Sequence, residues 1–150
     1  MNPTASIHPL VVLIDDEDGP IRYYCDALSD SGCEVKRIRS FGIALDFIQT
    51  VDKPPAIWLI DVMMPIEDDS LKIGGVEAFR ATSMGLGAGL ALYRLAKGRF
   101  PGTPVVLLTS IATPGLLNDI EAALENGDTC EAKTSLKPRL LVELVRRRLS

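Results

Sequence analysis

Three stretches of this chain are apolar on both alternating positions: Leu10-Val11-Val12-Leu13-Ile14, Ala56-Ile57-Trp58-Leu59-Ile60 and Val105-Val106-Leu107-Leu108. A strand that faces water shows polar residues at every second position, and these do not. Strands of this kind need cover on both faces, which a parallel sheet flanked by helices supplies. The segments between them carry apolar residues at helical spacing, so the chain reads as a doubly wound α/β domain.

The remaining elements fit that frame. Residues 20–31 read as a helix with Ile21, Tyr24, Cys25 and Leu28 on one face, stopped by Gly32. Residues 34–39 alternate as a strand with one wet face, which suggests a peripheral position. Ser40 caps a second helix to about Thr50, with Ile43, Ala44, Phe47 and Ile48 inward. A helix over 90–97 precedes the strand 105–109. Thr113 and Pro114 open a further helix through Glu125, which Asn126-Gly127 ends. Residues 129–132 form a short fifth strand. A last helix opens near Ser135, with Leu140, Leu141, Leu144, Val145 and Leu149 at helical spacing.

Ligands of such sheets bind beyond the carboxyl ends of the strands. That rule collects Asp15, Asp16, Asp61, Thr109 and Lys133 on one rim, because each ends a predicted strand. Three crowded carboxylates repel one another unless a cation joins them. Mg²⁺ suits oxygen ligands and keeps several waters. Lys133 adds a point charge for an anionic oxygen, and Thr109 adds a hydroxyl donor. A metal, an ammonium, a hydroxyl and a carboxylate nucleophile together describe a phosphoryl site.

The ordered set Leu13-Ile14-Asp15-Asp16-Glu17, Leu59-Ile60-Asp61-Val62-Met63-Met64-Pro65, Leu107-Leu108-Thr109-Ser110 and a strand-end lysine resembles the receiver domain of two-component response regulators. The resemblance spans the whole chain and implies a flavodoxin-like five-stranded fold. It implies that Asp61 accepts a phosphoryl group from a sensor histidine kinase or phosphotransfer protein. It further implies Mg²⁺ held by Asp16, Asp61 and the Met63 backbone carbonyl, with Asp15 acting mostly through water. Thr109 and Lys133 would contact the phosphoryl oxygens. The output would be altered protein contacts at the face formed by 114–125, 129–132 and 135–149. A homodimer through the 113–149 face and a downstream protein target follow as expectations from the same resemblance.

The chain departs from that pattern at four places. Lys133 is followed by Thr134, where receivers carry proline, and a Lys-Pro pair stands instead at Lys137-Pro138. Lys133 is preferred because it directly follows the short strand. Cys130 occupies the place of the family's switch aromatic. Residues 66–83 form an insertion after the third strand, with Glu67, Asp68 and Asp69 in it, and 76–81 reads as an extra helical turn. Finally, no effector domain is expected: 1–150 reads as a single receiver domain.

Two other functions compete. One is a partner-binding pseudo-receiver that is not phosphorylated, to which Cys130 and Thr134 point. The other is a small phosphatase of the haloacid-dehalogenase type, with Asp16 as nucleophile in Asp16-Glu17-Asp18-Gly19. Either way, ordinary enzymatic turnover is not the expectation for the leading reading.

Composition narrows the partners. The 150 residues carry a net charge of −4, which argues against a nucleic-acid or anionic-membrane surface. Arg146-Arg147-Arg148 suits a helix C-terminus. Cys25, Cys33 and Cys130 form no CxxC pair, and no signal peptide or spanning stretch is evident, so a reduced, cytoplasmic protein is expected. His8 reads as a surface residue and Trp58 as core. Tyr23-Tyr24 should be half surface, half core. Gly85, Gly87 and Gly89 lack the spacing of a phosphate-binding loop and read as permitting close helix–sheet packing or a flexible helix start.

Overall fold

A computed structural model of the chain describes residues 8–64, 87–110, 114–125 and 127–150. The predicted insertion at 66–83, the helical turn at 76–81, Gly85 and Thr113 lie outside the described residues.

The described chain runs β1 (Leu10–Ile14), α1 (Gly19–Asp30), β2 (Glu34–Ile38), α2 (Phe41–Thr50), β3 (Ile57–Asp61), α3 (Gly87–Arg99), β4 (Val105–Thr109), α4 (Pro114–Ala122), β5 (Thr129–Ala132) and α5 (Pro138–Leu149). The five strands are all parallel, in the order β2-β1-β3-β4-β5. This is the flavodoxin-like doubly wound order. β3 lies at the centre, and β2, with its alternating pattern, lies at an edge.

Apolar residues on alternate positions of the strands serve two separate cores. Val12, Ile14, Trp58, Ile60, Val105 and Leu107 meet α2, α3 and Ile120 of α4. Val11, Leu13, Ile57, Leu59, Val106 and Leu108 meet α1 and α5. Period-two alternation therefore survives in strands without a polar residue, because the two faces are both dry. Trp58 is fully buried, between Phe47 edge-on at 6.1 Å and Phe100 stacked at 6.5 Å.

Caps delimit the helices much as the residue types require. Past the end of α1, Gly32 has φ +98°. Its N–H donates to Ser29 O at 3.1 Å, and the Cys33 N–H donates to Leu28 O at 3.0 Å. These two bonds make a Schellman motif, with glycine at the left-handed position. Ser40 Oγ accepts from the Ile43 N–H at 3.2 Å, capping α2.

Three details differ from the sequence reading. In α2 the buried stripe is Phe41, Ala44, Leu45 and Ile48, while Ile43 is 64% exposed. Helical phase explains it: two residues past Phe41, a side chain lies on the opposite side of the cylinder. α4 ends at Ala122, not Glu125, and its last carbonyls are taken by short-range bonds from Ala123 to Ile120 and Leu124 to Glu121. α5 opens at Pro138 with Lys137 as N-cap, three residues later than expected, and Leu140 of that helix is exposed.

At the amino ends of β4 and β5 lies a buried polar network. Asp128 accepts from Tyr93 Oη at 2.8 Å and from the Val105 N–H at 2.9 Å. It also pairs with the Lys97 ammonium at 2.9 Å, and both side chains are nearly inaccessible. Lys97 spends a further proton on Thr103 O at 2.9 Å. The network fixes the turn entering β5 against α3 and β4. Among the described residues, no helix is long and apolar enough to cross a membrane.

Candidate functional site

The register brings the carboxyl ends of β1, β3, β4 and β5 level. Ile14 pairs with Ile60, Asp61 with Leu108, and Thr109 with Ala132. The residues just beyond therefore share one rim. Asp15, Asp16 and Asp61 each offer a carboxylate oxygen there, all within 4.8 Å of one another. Asp15 and Asp61 are buried, and Asp16 stands at the solvent lip.

Lys133 reaches into this group. Its Nζ lies 2.6 Å from Asp15 Oδ2, 2.7 Å from Glu17 Oε1 and 3.6 Å from Asp61 Oδ1. The competing Lys137 is exposed at the N-cap of α5, with Pro138 in the first helical positions. Its Lys-Pro pair therefore belongs to a helix start. Thr109 closes β4 and is fully buried, and its carbonyl accepts the Lys133 N–H at 2.8 Å.

Backbone donors hold the carboxylates. The Glu17 N–H donates to Asp15 Oδ1 at 2.9 Å, and the Met63 N–H to Asp61 Oδ1 at 3.1 Å. The second bond turns the Met63 peptide back over Asp61. Behind it, the α3 helix starts in contact with the same segment: Gly89 N–H donates to Val62 O at 3.2 Å. A side-chain carbon at Gly89 would overlap Val62 Cα and the Asp61 carbonyl oxygen. The close packing expected of the glycines is thus realised at Gly89, directly behind Asp61.

Electrostatics follow from burial and crowding. Desolvation, then repulsion by Asp15, pushes the Asp61 carboxyl up to about 7, against the pull of Lys133 and the Met63 N–H. Burial likewise raises Asp15. For Lys133, burial alone would lower the ammonium, but its bonds to Asp15 and Glu17 outweigh that and its pKa rises above the ordinary value. Glu17 is held below the usual carboxylate range, chiefly by its bond to Lys133. One firm cation thus faces more negative charge than it can neutralise.

Several contacts had no role in the sequence reading. Glu17 bridges Lys133 and Ser110, whose Oγ donates to Glu17 Oε1 at 3.1 Å. Arg37 of β2 donates to the Glu17 carbonyl, and Arg39 pairs with Asp18, so the loop between β1 and α1 is pinned from the edge strand. Tyr24 is buried and donates to Leu136 O at 2.6 Å, tying α1 to the turn after Lys133, while Tyr23 is 57% exposed. Cys130 is buried, and burial holds its thiol up at about 12, so it is a small protonated core group where the resemblance puts a ring. The alternation of strand residues gave no signal for any of these, because each contact joins distant segments.

No protein-family model matches the sequence, and no curated protein matches it. Solved structures do. The BeF3-activated DrrB receiver domain superposes with a TM-score of 0.68 at 18% identity, covering 95% of this chain and 98% of that one. A CheY-like response regulator receiver domain protein from Methanospirillum hungatei JF-1 gives 0.66 at 18% identity, covering 95% and 94%. A response regulator receiver protein from Sinorhizobium medicae WSM419 gives 0.70 at 16% identity, also covering 95% and 94%. The chain has the fold of response regulator receiver domains across nearly its whole length.

Proposed function

We propose that the protein is a response regulator receiver whose Asp61 accepts a phosphoryl group and thereby alters protein contacts. The observation that carries this reading is the Asp15/Asp16/Asp61 cluster, its oxygens within 4.8 Å, met by one buried ammonium at the carboxyl rim of a parallel sheet. The donor set fits Mg²⁺: hard oxygens, two buried and one at the solvent lip, carrying excess negative charge. Asp16, Asp61 and the Met63 carbonyl would hold the ion directly, with Asp15 behind a water. Bound there, Mg²⁺ would neutralise charge on the phosphoryl oxygens and lower the repulsion Asp61 feels.

The chain's own groups do the rest. Asp61 must be ionised to act, and an oxygen of its carboxylate attacks phosphorus. The new O–P bond replaces the donor's P–N bond (P–O in acetyl phosphate), and the electron pair leaves with the donor group. Lys133 stands close enough to Asp61 to take a phosphoryl oxygen after a small shift. Thr109, at the end of β4, would supply its hydroxyl to another. The Met63 N–H orients the carboxylate. Sensor kinases or phosphotransfer proteins as donors, and the 113–149 face as output, belong to this same reading.

Asp16 as a phosphatase nucleophile has less support, since it stands at the lip of the cluster whereas Asp61 ends β3 at the sheet centre. Intact mass after incubation with Mg²⁺ and acetyl phosphate tests the proposal, with Asp61→Asn, Asp16→Asn, Lys133→Ala and Lys137→Ala alongside. One phosphoryl adduct that needs Asp61, Mg²⁺ and Lys133, but not Lys137, is expected. No adduct on folded protein would leave a partner-binding pseudo-receiver, and full labelling of Asp61→Asn would remove Asp61 from the role.

A further inference from the structure

An ammonium offers three protons. Lys133 gives one to Glu17 Oε1 at 2.7 Å, is ion-paired with Asp15 Oδ2 at 2.6 Å, and stands 3.6 Å from Asp61, outside hydrogen-bond reach. An anionic oxygen seated on Asp61 would need that ammonium at roughly 2.7–2.9 Å. A proton is free for it, but drawing Nζ toward such an oxygen lengthens one of its two close contacts.

The two partners are unequal. Asp15 is fully buried, and deserting it leaves a charge without water. The Glu17 side chain is 45% exposed, and water replaces the ammonium there at small cost. Glu17 is the bond that yields. Its backbone cannot follow the change, because its N–H is held by Asp15 Oδ1 and its carbonyl by Arg37. Only the side chain moves.

That side chain has a second tie. The same oxygen that accepts Lys133 accepts the Ser110 hydroxyl at 3.1 Å, and Ser110 is the residue after Thr109 at the end of β4. Withdrawal of Lys133 toward Asp61 therefore alters the hold on Ser110 at the end of β4.

We propose that Glu17 is a positioning residue that keeps Lys133 back from Asp61 in the resting protein and, on yielding it to an anion on Asp61, changes the hold on Ser110. This rests on the phosphoacceptor reading for its purpose, though not for the resting contact itself.

Two substitutions separate reach from charge. Glu17→Asp keeps the charge but is one methylene too short to hold Lys133 and Ser110 together. Asp18→Asn removes a neighbouring charge that pairs with Arg39 instead. Beryllofluoride with Mg²⁺ serves as the probe, read by the amide and lysine ammonium NMR signals of the full chain. In free Glu17→Asp, the Lys133 ammonium and Ser110 amide signals should already be displaced toward their beryllofluoride-bound positions. Half-saturation should need roughly two- to five-fold less beryllofluoride, the scale of an exposed ion pair, and Asp18→Asn should match the parent. Unmoved Lys133 and Ser110 signals in Glu17→Asp would overturn the proposal. So would equal tightening in Asp18→Asn, which would mean a general loosening of the loop between β1 and α1. If the parent binds no beryllofluoride, the phosphoacceptor reading fails, and an identical free Lys133 ammonium signal in parent and Glu17→Asp would overturn the resting contact as well.

Discussion

Asp61→Asn should stabilise the metal-free protein at pH 8 while removing its chemistry. Asp61 is 2% exposed, and burial with Asp15 beside it raises its pKa from 3.8 to about 7. A raised folded-state pKa means the folded chain binds this proton more tightly than the unfolded one. The associated stability is fully present below about pH 4 and is lost as pH rises through about 7. The interval from 3.8 to about 7, at ~1.36 kcal/mol for each tenfold change in proton affinity, bounds the loss at about 4 kcal/mol. Asparagine keeps the acceptor for the Met63 N–H and carries no charge, so at pH 8 it should recover about 2–4 kcal/mol. At pH 5 the gain should nearly vanish, because Asp61 is protonated there. Urea unfolding in EDTA at both pH values measures this. A residual slope of the same sign is expected from Asp15, whose pKa is also raised. Saturating Mg²⁺ at pH 8 should narrow the gap by stabilising the parent more than the variant. The reasoning is refuted if the variant gains nothing at pH 8, or gains equally at pH 5.

Two further perturbations probe the scaffold, one directly behind the site and one at the opposite end of the sheet. Gly89→Ala places a carbon against Val62 Cα and the Asp61 carbonyl, both backbone, so the start of α3 must shift; about 1–3 kcal/mol of lost stability in urea and slower acetyl phosphate labelling are expected. Asp128→Ala strands the buried Lys97 ammonium and should cost about 3–5 kcal/mol, whereas replacing both Lys97 and Asp128 by apolar residues should cost less than either half alone, measured by the same unfolding curves.

How far the sequence could be read depended on the range of the signal. Strand runs such as Ile57-Trp58-Leu59-Ile60 and stops such as Gly32 act within a few residues, and the structure has them where expected. The α2 stripe was misjudged at Ile43 because apolar character alone does not fix helical phase; the contact with the sheet does. Lys137-Pro138 competed with Lys133 because a dipeptide carries no depth, and only the turn after β5 shows which lysine turns inward.

The sequence by itself determined that this chain has parallel strands covered on both faces, and that aspartates leave two of them. Both follow from local chemistry: apolar runs must be buried, and a carboxylate at a strand end must emerge at a rim. The tertiary structure alone decided that Glu17 shares Lys133 with Asp15, that Gly89 backs onto Val62, and that Asp128 sits on Lys97 and Tyr93. Each of these joins segments separated by many residues, and their spacing is set by sheet register and helix packing, which no local pattern encodes.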